Sequence, residues 1–156
     1  MSAIFVRNSM MMSMKLKKSI LRAFGAKIGR GVWVKPGVRV KYPWHLEIGD
    51  YCWIGEDVWI DNLTKVRIGN NVVLSQNSML LCGNHNYKKS SFDLMMSEIH
   101  LDDGVWIGAK SIVCGGVTCE SHSILTVNSV ATCNMEAYYI YSGNPAEKIR
   151  ERVISD

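Results

Sequence analysis

Aliphatic residues recur every six positions along most of the chain. The register begins at Ile28 and covers fifteen positions, thirteen of which hold Ile, Leu or Val: Ile28, Val34, Val40, Ile48, Ile54, Ile60, Ile68, Leu74, Leu80, Leu101, Ile107, Val113, Cys119, Leu125 and Ala131. A helix repeats every 3.6 residues and a half-buried strand every two, so a sustained period of six fits neither alone. The pattern predicts a prism of short stacked strands, in which each hexad supplies one strand and one corner.

The hexads group into five coils of three, and the register slips only after the third hexad of a coil. The slips are two residues after Val40, two after Ile60 and fifteen after Leu80. The insertions therefore stack on one corner of the prism, where a loop leaves without disturbing the packed faces. We expect Asp61 to lie about one rung beneath the base of the long loop, residues 82–98, and close to His85 within it.

The segments on either side suit the two ends of the prism. Residues 1–27 are predicted to carry an amphipathic helix that ends at Gly25, with an apolar face made of Met14, Leu16, Ile20, Leu21 and Phe24. We favour capping of the open prism over membrane docking for this helix. The β-helix domain is predicted at 28–136, and residues 137–156 are predicted to form a turn and a short basic helix.

Composition narrows the class of protein. The 156 residues suit one domain, and a formal charge of +4 is too weak to indicate nucleic acid. No stretch reaches the roughly 20 apolar residues that span a bilayer, and no secretory signal is evident. The five cysteines lack metal-site spacing, which favours reduced thiols. We therefore expect a cytoplasmic protein without an integral membrane segment.

Three segments resemble the colanic acid biosynthesis O-acetyltransferases, which belong to the hexapeptide-repeat class. They are FGAKIGRGVWVKPGVRVKYPWHLEIGDYCWIGEDVWI, GNHNY followed by FDL, and SGNPAEKIRERV. The resemblance implies an all-β fold, a left-handed parallel β-helix of about five coils by the hexad count, assembled as a homotrimer. It also implies transfer of an acetyl group from acetyl-CoA to a sugar hydroxyl in exopolysaccharide biosynthesis.

His85 is the candidate general base. Acetyl transfer from a thioester to a hydroxyl needs a group that accepts the hydroxyl proton near neutral pH, and imidazole suits this role. The resemblance implies the same role for the loop histidine, with direct attack and no acyl-enzyme. The alternative is an ordinary polar residue at the surface. Cys82, three residues earlier, is expected to be buried rather than nucleophilic.

The other histidines do not suggest a metal site. His45, His100 and His122 stand at different points of the hexad. Their imidazoles should not converge, so the zinc site of a carbonic-anhydrase-like β-helix is not expected. We predict no metal cofactor.

Four polar residues near the insertions are candidates for binding the sugar: Asp61, Asn62, Asn84 and Tyr87. Asp61 could instead orient His85. Solvated turns and ordinary loop positions are equally good interpretations of Asp and Asn here.

The resemblance implies that coenzyme A lies between neighbouring prisms, with Gly108 and Ala109 of WIGAK beside the pantetheine. Lys148 and Arg150 could meet the nucleotide phosphates, although a solvated basic tail is the competing interpretation. Cys133 stands where the family often has lysine, so one phosphate contact is missing. A second hypothesis for the whole protein is a non-catalytic β-helix that assembles within a polysaccharide-synthesis complex.

Overall fold

The chain folds into a parallel β-solenoid, in which three faces of short stacked strands surround one core. The computed structural model describes residues 14–155. Residues 1–13 of the predicted N-terminal segment, and Asp156, lie outside the described residues. The all-β fold predicted from the hexads is confirmed.

Each face contains one strand from each of the first five coils, and the second face contains two more. The first face comprises β1 (Lys27–Ile28), β4 (Leu46–Ile48), β7 (Val66–Ile68), β12 (Ile99–Leu101) and β15 (Thr118–Cys119). The second face comprises β2 (Trp33–Val34), β5 (Trp53–Ile54), β8 (Val73–Leu74), β13 (Trp106–Ile107), β16 (Ile124–Leu125), β18 (Tyr139–Gly143) and β19 (Ala146–Glu151). The third face comprises β3 (Arg39–Val40), β6 (Trp59–Asp61), β9 (Met79–Leu81), β14 (Ile112–Cys114) and β17 (Val130–Ala131).

The inward positions of the hexad register are confirmed, because all fifteen lie buried in one core. Equivalent residues stack directly from rung to rung, as Ile48 does between Ile28 and Ile68. Parallel strands lie about 4.8 Å apart, so each aliphatic side chain packs on the one above and the one below. Apolar burial therefore comes from stacking, and no single coil encloses a core.

The solenoid has about six turns rather than the five predicted. Met135 forms a parallel bridge to Cys119 on the first face, and β18 pairs in parallel with β16 on the second. Met135 and Tyr141 are both buried, and they extend two of the inward columns by one rung. The hexad count misses this turn because neither residue is a branched aliphatic and Met135 follows Ala131 by only four positions.

The predicted C-terminal helix is wrong. Residues Tyr139–Gly143 and Ala146–Glu151 form an antiparallel hairpin instead. β18 extends the parallel stack and would leave a row of backbone donors and acceptors without partners, and β19 pairs with that row. This pairing outweighs the weak helical preference of the sequence. The charged side chains of β19 then end the sheet at an edge that resists further pairing.

A helix covers the first coil. α1 (Met14–Ala23) is followed two residues later by Gly25, whose φ of +94° suits a glycine and whose amide donates to the Arg22 carbonyl at 2.9 Å. Lys18 Nζ donates to the Val32 carbonyl at 3.0 Å, so a helix side chain meets a backbone acceptor that the end of the stack would otherwise leave open.

The buried face of α1 differs from the predicted one. Leu21 is buried in the core, whereas Leu16 and Phe24 are each 49% exposed. Arg22 turns back to donate to the Ile28 carbonyl at 2.7 Å. The helix thus attaches through buried Leu21 and through Lys18 and Arg22, with Lys17 also buried, and it leaves part of its predicted apolar face exposed.

The three insertions leave one corner, as predicted, and we call it the loop corner. A 3₁₀ turn (Pro43–His45) separates β3 from β4, residues 62–65 separate β6 from β7, and the long loop separates β9 from β12. Asp61 pairs with Leu81, and its carbonyl accepts the Cys82 amide at 3.3 Å. The predicted position of Asp61 at the base of the long loop is therefore confirmed.

Carboxylate and amide side chains form a ladder at the corner between the first and second faces. Asp50 Oδ1 accepts the Arg30 amide at 2.8 Å, Asn70 Oδ1 accepts the Asp50 amide at 2.8 Å, and Asp103 Oδ1 accepts the Asn70 amide at 2.6 Å. These backbone hydrogen bonds lower the pKa of the Asp50 and Asp103 carboxyls. The ladder ties each rung to the next at this corner.

Candidate active site

The long loop is a β-hairpin, and His85 lies near its tip. β10 (Gly83–His85) pairs in antiparallel fashion with β11 (Leu94–Met96), and His85 lies opposite Leu94. The foot of the hairpin is fixed because the Ser97 amide donates to the Cys82 carbonyl at 3.0 Å. Gly83 suits this position, since a Cβ there would lie 2.6 Å from the Leu63 side chain. The hairpin therefore rests on the insertion of the coil below.

The imidazole of His85 is held by Phe92 in two ways. The two rings stack at 4.4 Å with 6° between their planes. His85 Nδ1 also lies 2.9 Å from the Phe92 carbonyl oxygen. A carbonyl oxygen only accepts hydrogen bonds, so the proton of the neutral ring sits on Nδ1 and Nε2 carries the lone pair. Because His85 is exposed, that lone pair is available to a substrate.

The backbone of the turn sets the direction of this carbonyl. Phe92 has φ +47°, in the left-handed region that non-glycine residues seldom adopt. Its amide donates to the Lys89 carbonyl at 3.0 Å, and the Asn86 amide donates to the Asp93 carbonyl at 2.9 Å. The tight turn therefore over-determines the Phe92 conformation and aims its carbonyl at His85.

Asp61 does not orient His85, contrary to one of the two predicted roles. Its carboxylate is 7% exposed and forms an ion pair with Lys41 Nζ at 2.9 Å. The contacts of the His85 ring are with Phe92. Asp61 and Lys41 thus form a mostly buried pair at the foot of the hairpin, while the turn of the hairpin orients the base.

Asn62 is a structural residue rather than a sugar ligand. Its side chain is fully buried, and Oδ1 accepts the amides of Lys41 and Tyr42 at 3.1 Å each. Its Nδ2 donates to the Tyr42 carbonyl at 2.6 Å. The side chain therefore replaces the backbone partners that the register slip removes from the coil below. Because it is buried and its polar atoms bind the backbone, the prediction that Asn62 contacts the sugar is wrong.

Asn84 and Tyr87 are exposed on the hairpin beside His85. Asn84 Oδ1 accepts the His85 amide at 2.8 Å, and Tyr87 is 77% exposed. Between the hairpin and the third face lies a cavity of about 270 Å³, lined by Leu81, Cys82, Gly83, Asn84, Met95, Ser97, Cys114 and Gly115. The sequence gives no signal for this cavity, because it depends on how the hairpin folds over Cys114.

Cys82 is not a nucleophile in this arrangement. Its side chain is 1% exposed, and burial raises the pKa of the thiol to about 11. The thiol is therefore protonated at neutral pH, as the predicted core role requires.

Gly108 and Ala109 lie at a different corner, between the second and third faces, which we call the groove corner. They line a groove of about 510 Å³ together with Ser75, Gln76, Trp106, Ile124, Leu125, Thr126 and Val127. A Cβ on Gly108 would lie 2.6 Å from the Val127 amide nitrogen, so the stacking itself requires glycine. The Gly108 amide donates to the Leu125 carbonyl, and the Ala109 carbonyl accepts the Asn128 amide. The Ala109 amide takes no part in these backbone hydrogen bonds between coils.

Trp106 is a wall of this groove that the hexad pattern does not single out. It occupies an outward position, where the repeat accepts almost any residue. Its side chain is 45% exposed, and Nε1 donates to Ser75 Oγ at 2.9 Å. That hydrogen bond fixes the indole, so Trp106 gives the groove a rigid apolar wall.

The two C-terminal cations have different surroundings. Lys148 Nζ binds Glu136 Oε2 at 2.7 Å and lies 3.7 Å from the Tyr139 ring centroid, and the Glu136 carboxylate raises its pKa. Arg150 instead lines a second groove of about 440 Å³, which continues from Trp106 and Ile124. Arg150 is therefore the better placed of the two to meet an anion in the groove.

The hairpin and the groove are not brought together within one chain. The loop corner and the groove corner are the two edges of the third face, separated by one three-residue strand. At 3.3 Å per residue this is roughly 10 Å along the face. His85 therefore needs a groove from elsewhere if it is to act on a ligand bound beside Ala109.

The remaining histidines each have different surroundings. His100 contacts Glu98 at 3.1 Å, His122 stacks on Tyr138 at 4.8 Å, and His45 lies beside Trp44. Over residues 14–155 no group of three His, Cys, Asp or Glu side chains is arranged to hold a metal ion. In the same part of the chain no helix combines the length and apolar character needed to cross a bilayer.

Known proteins share both the sequence and the fold. No protein-family model matches the chain. It is 37% identical over 134 residues to WcaF of Escherichia coli (strain K12), which is named as a colanic acid biosynthesis acetyltransferase, with 86% of this chain and 74% of that protein covered. It is 26% identical over 138 residues to the galactoside O-acetyltransferase of the same organism, with 86% and 68% covered.

A solved hexapeptide-repeat acetyltransferase of Vibrio cholerae O1 biovar eltor, complexed with acetyl-CoA, superposes with a TM-score of 0.86 at 21% identity, over 93% of this chain and 81% of that one. That superposition shows the fold, and the sequence matches show that the chain is a hexapeptide-repeat protein of the acetyltransferase class. Within that class, the chain belongs to the family of the colanic acid biosynthesis acetyltransferase WcaF.

Proposed function

We propose that the protein transfers an acetyl group from acetyl-CoA to a sugar hydroxyl, with His85 as the general base. The observation that carries this proposal is the contact of His85 Nδ1 with the Phe92 carbonyl at 2.9 Å. It leaves Nε2 unprotonated, exposed and fixed in direction, which is what a base for a hydroxyl proton requires. Stacking on Phe92 further restricts the ring.

The same contact supports the charged state of the base. When Nε2 takes the proton of the attacking hydroxyl, the ring becomes an imidazolium and the Nδ1 hydrogen bond becomes charge-assisted. The Phe92 carbonyl therefore still accepts the Nδ1 hydrogen bond while the ring carries the proton. His85 then holds the proton at Nε2, from which it passes to the leaving group.

The groove corner has the residues to hold the acetyl donor. Acetyl-CoA, when bound, supplies the acetyl group as a thioester. A long apolar wall of Trp106 and Val127 suits a pantetheine arm. The Ala109 amide, which the backbone hydrogen bonds between coils do not use, offers a donor beside it. Arg150 in the continuing groove suits the nucleotide phosphates. Cys133 is exposed at the position where the resemblance implies a lysine, so it offers no further cation to the phosphates.

The outward side chains favour assembly through two of the three faces. Those of the first face are polar: Lys27, Glu47, Arg67, His100 and Thr118. Those of the second face are apolar throughout: Trp33, Trp53, Val73, Trp106, Ile124 and Ile140. Those of the third face are apolar after its first residue: Arg39, Trp59, Met79, Ile112 and Val130. Two adjacent apolar faces suit a homotrimer, in which each chain gives one face to each neighbour.

This assembly completes the site. The groove of one subunit opens on its second face and the hairpin leaves an edge of the third, so packing a second face against a neighbouring third face puts one subunit's hairpin and the next subunit's groove at the same interface. The acceptor sugar then lies at the hairpin, where Asn84 and Tyr87 are exposed to it. We place the reaction in the cytoplasm, in the assembly of an exopolysaccharide.

A turnover measurement tests the proposal. The protein is incubated with acetyl-CoA and a panel of nucleotide-linked and lipid-linked sugars, and release of free CoA thiol is followed. We expect release of CoA thiol that depends on one class of acceptor. His100→Ala, which changes a surface histidine on the first face, should leave this release unchanged. Absence of release with every acceptor would favour a non-catalytic assembly role instead.

A further inference from the structure

Charge is distributed unevenly along the prism axis. The first 46 residues contain ten Lys and Arg and no Asp or Glu, whereas the remaining 110 contain eight Lys and Arg and all fourteen Asp and Glu. Because the coils stack in chain order, this division in sequence is also a division in space. One end of the solenoid is basic and the rest is acidic.

The cations of the first coil are mostly neutralised by the second coil. Their ion pairs are Lys27 with Glu47 at 3.0 Å, Arg30 with Asp50 at 2.8 Å, Lys35 with Glu56 at 3.3 Å and Lys41 with Asp61 at 2.9 Å. The cations of α1 differ, because within residues 14–155 none of them pairs with a carboxylate. Lys18 and Arg22 contact backbone carbonyls, which bear no formal charge to balance theirs. Among the described residues, the charge that no carboxylate balances is therefore concentrated on α1.

Large apolar side chains are exposed at the same end. Phe24 is 49% exposed and Trp44 is 50% exposed. They are neighbours, since a Cβ on Gly25 would lie 3.0 Å from the Trp44 Cβ. The Tyr42 ring lies 5.0 Å from the Trp44 ring. We call this end, made of α1 with Phe24, Tyr42 and Trp44, the basic cap.

We propose that the basic cap docks on an anionic lipid surface. Interfacial sites of proteins combine Lys and Arg with Trp, Tyr and Phe, which sit at the level of the headgroups. The acidic remainder of the molecule is repelled by the same surface, so the charge division also sets the orientation, with the prism standing on its first coil. A second copy of the chain does not fit this end, because two basic caps repel one another.

The trimer proposed above strengthens this docking. Rotation about an axis parallel to the prisms places three basic caps on one side of the assembly. Each cap then adds to the binding of the others without a new kind of contact. The docking itself depends only on the cap and does not require the enzymatic activity.

Vesicle sedimentation with the full chain tests the proposal. The probes are vesicles of phosphatidylcholine alone and vesicles of an equimolar mixture with phosphatidylglycerol. We expect the protein to pellet with the anionic vesicles only and to be released by high salt. Each cation near such a surface contributes about 1 kcal/mol, so Lys15→Glu should weaken partitioning at least about fivefold. Phe24→Ser should weaken it as well.

Matched controls lie away from the cap. Lys88→Glu changes an exposed cation of the hairpin, and Ile149→Ser changes an apolar residue of β19 that is 58% exposed. Neither should alter partitioning. The proposal fails if the protein binds both vesicle types equally, if it binds neither, or if the controls reduce binding as much as the cap variants do.

Tryptophan emission separates insertion from simple charge attraction. Anionic vesicles should shift the emission to shorter wavelength, and Trp44→Phe should remove the shift while sedimentation persists. Single-stranded RNA serves as a polyanion without an apolar interior. Tighter binding to RNA than to the anionic vesicles would identify a different partner. An unchanged emission shift in Trp44→Phe would show that Trp44 does not enter the lipid. Either result would overturn the proposal.

Discussion

Two inactive variants should restore activity when they share a trimer. His85→Ala removes the base from the loop corner, and Ala109→Phe fills the groove at the groove corner. Because the two corners are opposite edges of one face, a complete site takes His85 from one subunit and Ala109 from its neighbour. A trimer that contains both variants therefore has interfaces at which both positions are wild type.

The size of the recovery follows from the geometry. In a random equal mixture each interface draws its His85 from an Ala109→Phe subunit half of the time, and its groove from a His85→Ala subunit half of the time. About a quarter of the sites are then intact, so we expect about a quarter of the wild-type rate. The variants are mixed in denaturant, refolded together and assayed for release of CoA thiol, beside each variant refolded alone.

Two controls sharpen the result. Val127→Trp, at a position that is 65% exposed and lines the same groove, should complement His85→Ala to the same extent. Mixing Ala109→Phe with Val127→Trp should recover nothing, because both damage the groove. The two mixtures that contain His85→Ala are made from variants that refold and form trimers. If neither mixture recovers activity, a site shared between subunits is refuted.

Further predictions concern the fold and the hairpin. Asn62→Ala should lower the free energy of unfolding by about 3 kcal/mol in a denaturant titration, since three buried backbone groups lose their partner, while the KM for the sugar stays unchanged. Phe92→Ala should lower kcat roughly three- to tenfold through loss of the ring stack, with the KM for acetyl-CoA unchanged. In the native protein a thiol reagent should modify exposed Cys133 quickly and Cys82 slowly, because burial raises the pKa of Cys82; equal rates would contradict this. The backbone and side-chain hydrogen bonds of Asn70 lower the pKa of folded Asp103, so they stabilise the fold fully above the unfolded pKa of about 3.9. This stabilisation declines as pH falls from that value through the lower folded pKa, which an acid titration followed by circular dichroism checks.

The core could be predicted because the solenoid repeats one simple contact. An inward residue such as Ile54 stacks on its equivalents in the coils above and below, so a period in the sequence translates directly into burial. The corner insertions follow from the same count, because a slip in register has only one place to go. The position of Asp61 at the foot of the hairpin is an instance of this.

The errors lie where pairing or side-chain choice is not periodic. The C-terminal segment reads as a helix locally, and only the open edge of β18 makes it a strand. Asn62 has the composition of a turn residue, and its burial depends on the backbone groups of Tyr42 one coil below. The partner of His85 lies seven residues away at Phe92, through a carbonyl that any residue possesses, so residue type carries no signal for it.

The acetyl-transfer rate of His85→Ala, relative to wild type at saturating acetyl-CoA and acceptor, tests the central claim most directly. A positioned general base contributes about a hundredfold to ten-thousandfold, so kcat should fall by that factor while the protein remains folded and still binds CoA. A His85→Ala protein that retains kcat within a few-fold of wild type would contradict the assignment of His85 as the base.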